Sequence, residues 1–454
     1  MKPLRIIGGV LFAAAAGGIA FAAGLPQPIA LTIAVTALTA FWWVSEAIPI
    51  PAASLAPFAL FPILGVIDFR QAASALGDHV IVLLMGAFML SKALERSGAH
   101  ERLALLMIRL VGGAGARLVF AFMLTAALIS LWISNTATVL MLVPIAMAIL
   151  ARTENRDLDA PVLLGIAYAA SIGGVGTLIG TPPNLIFAGI YEKTVGAEYG
   201  FLNWMKTGVP VVAIGIPIAA LWLSRNLKGA EKVVLPTTGR WSPAEVRTLI
   251  VFAAAILLWI TRTEPFGGWA ALTGIKAAGD STVALAAVLA MFLIPNGKGE
   301  ALLDWKTATD IPWGMLLLFA GGICIAIAFE ESGLSALLGE AMVGAKDIPL
   351  FALILLVCLV VTFMSELTSN TATATLILPV LAAGAEGAGI DPALLMAPAT
   401  MAASSGFMLP VSTAPNAIVY AYGRFPMTRM VKEGVFLDFV FALIIATVCW
   451  LTLR

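Results

Sequence analysis

The stretch Trp132-Ile133-Ser134-Asn135-Thr136-Ala137-Thr138, WISNTAT, sets small uncharged polar residues inside an apolar run, and Leu367-Thr368-Ser369-Asn370-Thr371-Ala372-Thr373, LTSNTAT, repeats it 235 residues later. The same offset pairs Gly86 with Gly321, Glu95-Arg96-Ser97-Gly98 with Glu330-Glu331-Ser332-Gly333, and Pro144 with Pro379. A segment of roughly 60 residues is therefore duplicated, not one motif. Downstream, Thr181-Pro182-Pro183-Asn184 answers to Thr413-Ala414-Pro415-Asn416 at an offset of 232.

The surroundings of both copies are apolar throughout. Over 454 residues, 61% are hydrophobic and 11% charged, with a mean hydropathy of +1.00. A water-soluble globule needs a more charged surface, so the composition dictates an all-α polytopic membrane protein. Apolar stretches able to cross about 30 Å of hydrocarbon number about eleven, plus two shorter paired segments. Net charge is zero, which gives no reason to expect nucleic acid or another polyanion as partner. Cys324, Cys358 and Cys449 lie singly in apolar runs and read as small buried hydrophobes. His79 and His100 fall near segment boundaries. The basic, apolar start Met1 to Gly24 resembles a signal peptide, but its long apolar run suits a retained first helix.

Charge gives orientation, because cytoplasmic loops near helix ends are rich in Lys and Arg. Arg96, Arg102, Arg109, Arg117, Arg152 and Arg156 surround the first SNTAT, whereas Glu330, Glu331, Glu340, Asp347, Glu386 and Asp391, with Lys346, surround the second. With Lys2 and Arg5 inside, about 19 of the 26 basic residues fall on the cytoplasmic side. The expected organisation is a first helix over 1–28, one repeat over 29–224, a cytoplasmic linker over 225–247 and an inverted repeat over 248–454. Such inversion is found in many secondary transporters. The N-terminus is then cytoplasmic and the C-terminus external, in the cell membrane.

Within each repeat two devices recur. Segments 117–152 and 350–384 run apolar, polar tip, apolar, with arms at or below crossing length, and read as re-entrant hairpins. Segments 160–190 and 391–421 read as helices broken at Gly176–Asn184 and Gly406–Asn416, where proline removes donors and blocks continuation. Irregular backbone at that depth belongs in protein or beside a wet cavity. An Asn carbonyl can ligate a hard cation and its amide can donate to an anion; Ser and Thr do either. Helix starts at the tips offer N–H groups to an anion. No Lys or Arg stands between the end residues of either hairpin or beside either break, so bound sodium is expected to neutralise a charged substrate, which couples the two ligands. Glu46 and Glu366, near or within apolar stretches, are read as structural or interfacial, since neither has a counterpart at the matching tip.

These residues, with Ala403-Ser404-Ser405-Gly406-Phe407-Met408-Leu409-Pro410-Val411-Ser412-Thr413-Ala414-Pro415-Asn416-Ala417-Ile418-Val419, resemble the divalent anion/sodium symporter family of INDY-type dicarboxylate transporters over nearly the whole chain. The resemblance implies one sodium site at Ser130, Ser134, Asn135 and the Gly180 carbonyl, and a second at Ser365, Thr368, Asn370 and the Ser412 carbonyl. It implies a substrate between the tips, held by Asn135, Thr136, Thr181, Asn370, Thr371 and Thr413. It also implies a homodimer with an elevator-type transport domain. The expected function is sodium-coupled symport of C4 dicarboxylates such as succinate, fumarate or malate. Relatives that exchange dicarboxylate or citrate without sodium, or carry sulfate with sodium, share these motifs. An enzyme is not expected, because the chain lacks a histidine cluster, a partnered cysteine nucleophile or a repeated acidic metal motif. An anion channel would be set apart by non-saturating currents.

Overall fold

In the computed structural model, residues 2–112, 114–151, 156–227, 239–264, 267–341 and 348–454 are described. Arg152, Lys346, Asp347 and residues 228–238 of the expected linker lie outside them. The described residues form helices joined by short turns: α1 (Lys2–Ala22), α2 (Gln27–Ser45), α3 (Ile50–Ala53), α4 (Ala56–Ile63), α5 (Phe69–Leu76), α6 (His79–Ser97), α7 (Ala99–Val111), α8 (Gly115–Ser130), α9 (Asn135–Leu150), α10 (Asp159–Gly174), α11 (Pro182–Val195) and α12 (Phe201–Ser224). After residue 239 come α13 (Pro243–Ile260), α14 (Gly268–Leu272), α15 (Asp280–Leu293), α16 (Trp305–Thr309), α17 (Trp313–Ser332), α18 (Leu334–Ala341), α19 (Leu350–Leu367), α20 (Asn370–Gly387), α21 (Ala393–Ala403), α22 (Ala414–Ala421) and α23 (Met427–Thr452). After α1, the order α2 to α12 is matched helix for helix by α13 to α23.

Eight helices among the described residues are long and apolar enough to cross a membrane: α1, α2, the run Phe69–Ser97, α12, α13, α17, α19 and α23. Shorter apolar helices include Ile50–Ile63, α8, α9, α15 and α21. The chain is a multi-pass membrane protein. Of the two expected hairpins, α8 and α9 have 16 residues each, whereas α19 has 18 and meets the crossing length by itself. Cys324, Cys358 and Cys449 are free and fully buried. Glu46 closes α2 in a left-handed conformation, φ 48°, on the exposed surface.

Corresponding helices α6 and α17 run in opposite directions. Lys92 near the end of α6 pairs at 3.3 Å with Asp310, which precedes α17, while Gln71, ahead of α6, donates to Glu331 at the end of α17 at 2.8 Å. Each also packs on the other half: α6 on α13 and α15, α17 on α2, α3 and α4. The glycines paired in sequence sit at these crossings. A Cβ on Gly86 would lie 2.8 Å from Ala284 Cβ, and one on Gly321 would lie 2.9 Å from Ser54 O, distances that no side chain tolerates without the helices separating. The inner helices exchange partners too, since α11 packs on α20 and α21, and α22 on α9 and α10. The two polar tips are thereby brought together in the middle of the molecule.

Candidate functional site

Four helix starts meet at one cavity of about 950 Å³. Ser134 to Ala137 begin α9, Thr181 to Pro183 begin α11, Ser369 to Thr371 begin α20, and Thr413 to Pro415 begin α22, and all of them line it. The positive ends of four helix dipoles therefore face one volume, a setting that favours an anion. All six residues expected to hold substrate, Asn135, Thr136, Thr181, Asn370, Thr371 and Thr413, are in this wall.

The two breaks are built alike. Asn184, fully buried, donates to Gly174 O at 3.0 Å and Thr177 O at 2.7 Å, tying off carbonyls freed where Pro182 and Pro183 interrupt the helix. Asn416 does the same for Gly406 O and Leu409 O, both at 3.1 Å, and also donates to Ser412 Oγ. Glycine is required at the first break. A Cβ on Gly174 would come within 2.5 Å of Asn135 Oδ1, and one on Gly180 within 2.5 Å of Gly174 O.

Beside each break an oxygen corner forms. Ser130 Oγ donates to Asn135 Oδ1 at 2.6 Å, and that oxygen faces the carbonyls of Ala170 and Gly180 at 3.1 and 3.3 Å. In the second corner Asn370 Oδ1 accepts from Ser365 Oγ at 2.9 Å and faces the carbonyls of Ala403 and Ser412, both at 3.1 Å. With Nδ2 turned inward each amide donates to these oxygens and the corner is satisfied by its own hydrogen bonds; with Oδ1 turned inward the corner is a set of neutral oxygens of the kind that suits a hard monovalent cation. No group of three His, Cys, Asp or Glu side chains able to hold a metal is present among the described residues. Ser130, Asn135 and the Gly180 carbonyl are thus brought together at one corner, and Ser365, Asn370 and the Ser412 carbonyl at the other.

Two of the expected ligands are engaged elsewhere. Ser134 accepts from Ala137 N at 3.2 Å as the cap of α9, and Thr368 donates to Met364 O at 2.9 Å and bonds the Thr373 hydroxyl at 2.5 Å. A serine preceding a helix is worth most as a cap, which is its role here. The carbonyls of Ala170 and Ala403, which also face these corners, were not foreseen, because backbone carbonyls carry no residue-type signal.

The expectation that no fixed base stands near the substrate is corrected. Lys92, from α6, lines the cavity together with Glu95, Glu101 and Asp310. It lies 42 residues before Ser134, outside the hairpins, and the packing of α6 brings it in. Its ammonium is held at 3.1 Å by Glu95 and 3.3 Å by Asp310, so the charge is already met by carboxylates at the mouth. His100 also lines the mouth, where burial pushes its imidazole below the ordinary histidine value. At the opposite face Lys193 pairs with Asp78 at 3.1 Å and Glu192 with His79 at 3.1 Å, closing the end of α11 on the start of α6.

A family model described as citrate transporter matches residues 40–397. The chain belongs to that family. The transporter is 36% identical over 443 residues to the sodium-dependent dicarboxylate transporter SdcS of Staphylococcus saprophyticus, covering 92% of this chain and 85% of that protein. It is 36% identical over 451 residues to the protein of the same name in Staphylococcus aureus strain USA300, covering 94% and 86%. Its fold resembles the YdaH transporter of Alcanivorax borkumensis, with a TM-score of 0.57 at 15% identity over 93% of this chain and 98% of that one. The divalent anion/sodium symporter resemblance holds, and the transporter is not an enzyme.

Proposed function

We propose that this chain is a sodium-coupled symporter of C4 dicarboxylates, such as succinate, fumarate or malate, working by alternating access. The observation that carries this reading is the pair of neutral oxygen corners, at Asn135 and Asn370, flanking one cavity where four helix starts converge. Sodium held at each corner sets positive charge beside the anion, and helix N-termini supply N–H groups to its carboxylates. Thr136 and Thr371, one from each tip, suit a substrate charged at both ends. The curated relatives named for sodium-dependent dicarboxylate transport support the same assignment.

In this reading the sodium ligands are Ser130, Asn135 and the Gly180 carbonyl, and Ser365, Asn370 and the Ser412 carbonyl, with the Ala170 and Ala403 carbonyls completing the corners. The pairs α8–α9 and α19–α20 are re-entrant hairpins in two inverted repeats, 29–224 and 248–454, joined by a cytoplasmic linker over 225–247. The basic residues put the mouth at Glu95, Glu101 and Asp310 on the cytoplasmic side, so this conformation is open inward, with the N-terminus inside and the C-terminus outside. Residence in the cell membrane, a homodimer and elevator-type motion complete the proposal.

Uptake of labelled succinate into proteoliposomes tests it: accumulation is expected only with an inward sodium gradient. Equal uptake without sodium, driven by internal dicarboxylate, would establish the antiporter instead. The description of the matching family favours citrate as the second substrate to try, by competition against labelled succinate.

A further inference from the structure

Behind each oxygen corner the last turn of a hairpin arm is tied to the break, and the two ties use corresponding positions with opposite chemistry. In the first half the Thr177 hydroxyl donates to the backbone carbonyl of Leu131 at 2.5 Å. Residues 235 and 232 positions later, Glu366 and Leu409, make the same connection with side chain and backbone exchanged: Leu409 N donates to Glu366 Oε2 at 3.0 Å. Glu366 Oε1 also accepts from Met408 N at 2.8 Å, and Asp438 Oδ1, from α23, accepts from Phe407 N at 3.1 Å. Thr177, Glu366 and Asp438 are all buried.

A break in mid-protein exposes N–H groups that neither water nor a helix satisfies, and each unpaired one costs stability and fixes nothing. The second half hands three of them to two carboxylates. Its carbonyls are bound from the other side by Asn416, so the loop from Gly406 to Leu409 is clamped on both edges. That loop leads directly into Ser412, whose carbonyl faces Asn370. The first half reaches the equivalent geometry with a neutral hydroxyl, because Leu131 stands where Glu366 does.

We propose that Glu366 and Thr177 are positioning residues, each setting the carbonyl of one sodium corner: Glu366 that of Ser412 against Asn370, and Thr177 that of Gly180 against Asn135. This rests on the sodium reading of the corners. Glu366 touches the break and not the cavity, so its loss acts on sodium before it acts on the anion.

The test is sodium activation of succinate uptake by the full chain in proteoliposomes, with the succinate KM measured separately at saturating sodium. Glu366→Gln, which can satisfy one N–H but turns a donor toward the other, is expected to raise the half-saturating sodium concentration about tenfold while the succinate KM moves less than about twofold. Thr177→Val, which keeps the side-chain volume and removes only the hydroxyl, is expected to do the same through the other corner. Adding Leu409→Thr to Glu366→Leu rebuilds the first half's tie and is expected to recover sodium affinity over Glu366→Leu alone. Sodium activation unchanged in Thr177→Val and in a folded Glu366→Gln, or sodium and succinate constants rising together, would overturn the inference. Loss of sodium dependence in the unmodified protein would instead overturn the reading of the corners.

Discussion

At the scale of single residues, the two asparagines of the SNT motifs and the two that close the breaks predict different failures. Asn135→Ala or Asn370→Ala removes one oxygen from a corner and leaves the backbone intact, so folded protein with coupled uptake abolished is expected; normal sodium-driven uptake in either variant would refute the corner assignment. Asn184→Ala or Asn416→Ala removes a side-chain donor from two buried carbonyls, at about 1–3 kcal/mol for each group left unsatisfied, and Asn416→Ala is expected to cost less because Ser412 Oγ also donates to Gly406 O and Leu409 O. Those variants are expected to lower the unfolding temperature in detergent before any transport assay is informative. Asn135 and Asn370 were legible in the sequence because a duplicated polar pentapeptide in apolar surroundings has few structural excuses. The roles of Ser134 and Thr368 were not, since capping and ligation draw on the same short hydroxyl side chains and only geometry separates them.

At the scale of helices, what the sequence revealed was periodic and what it hid was reached by packing. The duplication at an offset of 235 exposed the matching order of helices, and Gly86 and Gly321 proved to be the points where α6 and α17 press against the opposite half. Gly86→Val or Gly321→Val is expected to destabilise the fold by about 1–3 kcal/mol, with further loss where the helices cannot separate. Unfolding in detergent at the wild-type temperature would show that these crossings are looser than the distances imply. Lys92 escaped notice for the converse reason. It belongs to α6, which carries no polar motif, and nothing in a span of ordinary hydropathy tells which face meets the cavity. The arms of the hairpins are a third case: α8 and α9 are too short to span with ease, yet α19 is long enough, so length cannot decide how those pairs enter the bilayer.

At the scale of the whole molecule, the antiparallel run of α6 and α17 makes one face of the cavity the counterpart of the other, and the structure closes only one of them. Lys193–Asp78 and Glu192–His79 hold α11 to the start of α6 on the closed face, and Ala188, 5% exposed, lies on α11 in the small hollow behind them. Because Thr181 and the first break sit at the other end of that same helix, α11 cannot leave α6 without moving the cavity wall. Asp78→Asn takes the carboxylate from the Lys193 pair and from beside His79, 3.5 Å away, and leaves the Glu192–His79 contact in place. A partly buried ion pair such as Lys193–Asp78 is worth more than the ~0–1 kcal/mol of an exposed one, enough to shift a two-state balance about two- to tenfold. An Ala188→Cys reporter can read that shift, since Cys324, Cys358 and Cys449 are buried and react slowly. A membrane-impermeant maleimide added from the closed face is expected to label it faster when Asp78→Asn is present than when it is not. Equal rates would mean that packing of the apolar helices, and not the contacts of Asp78, keeps that face shut.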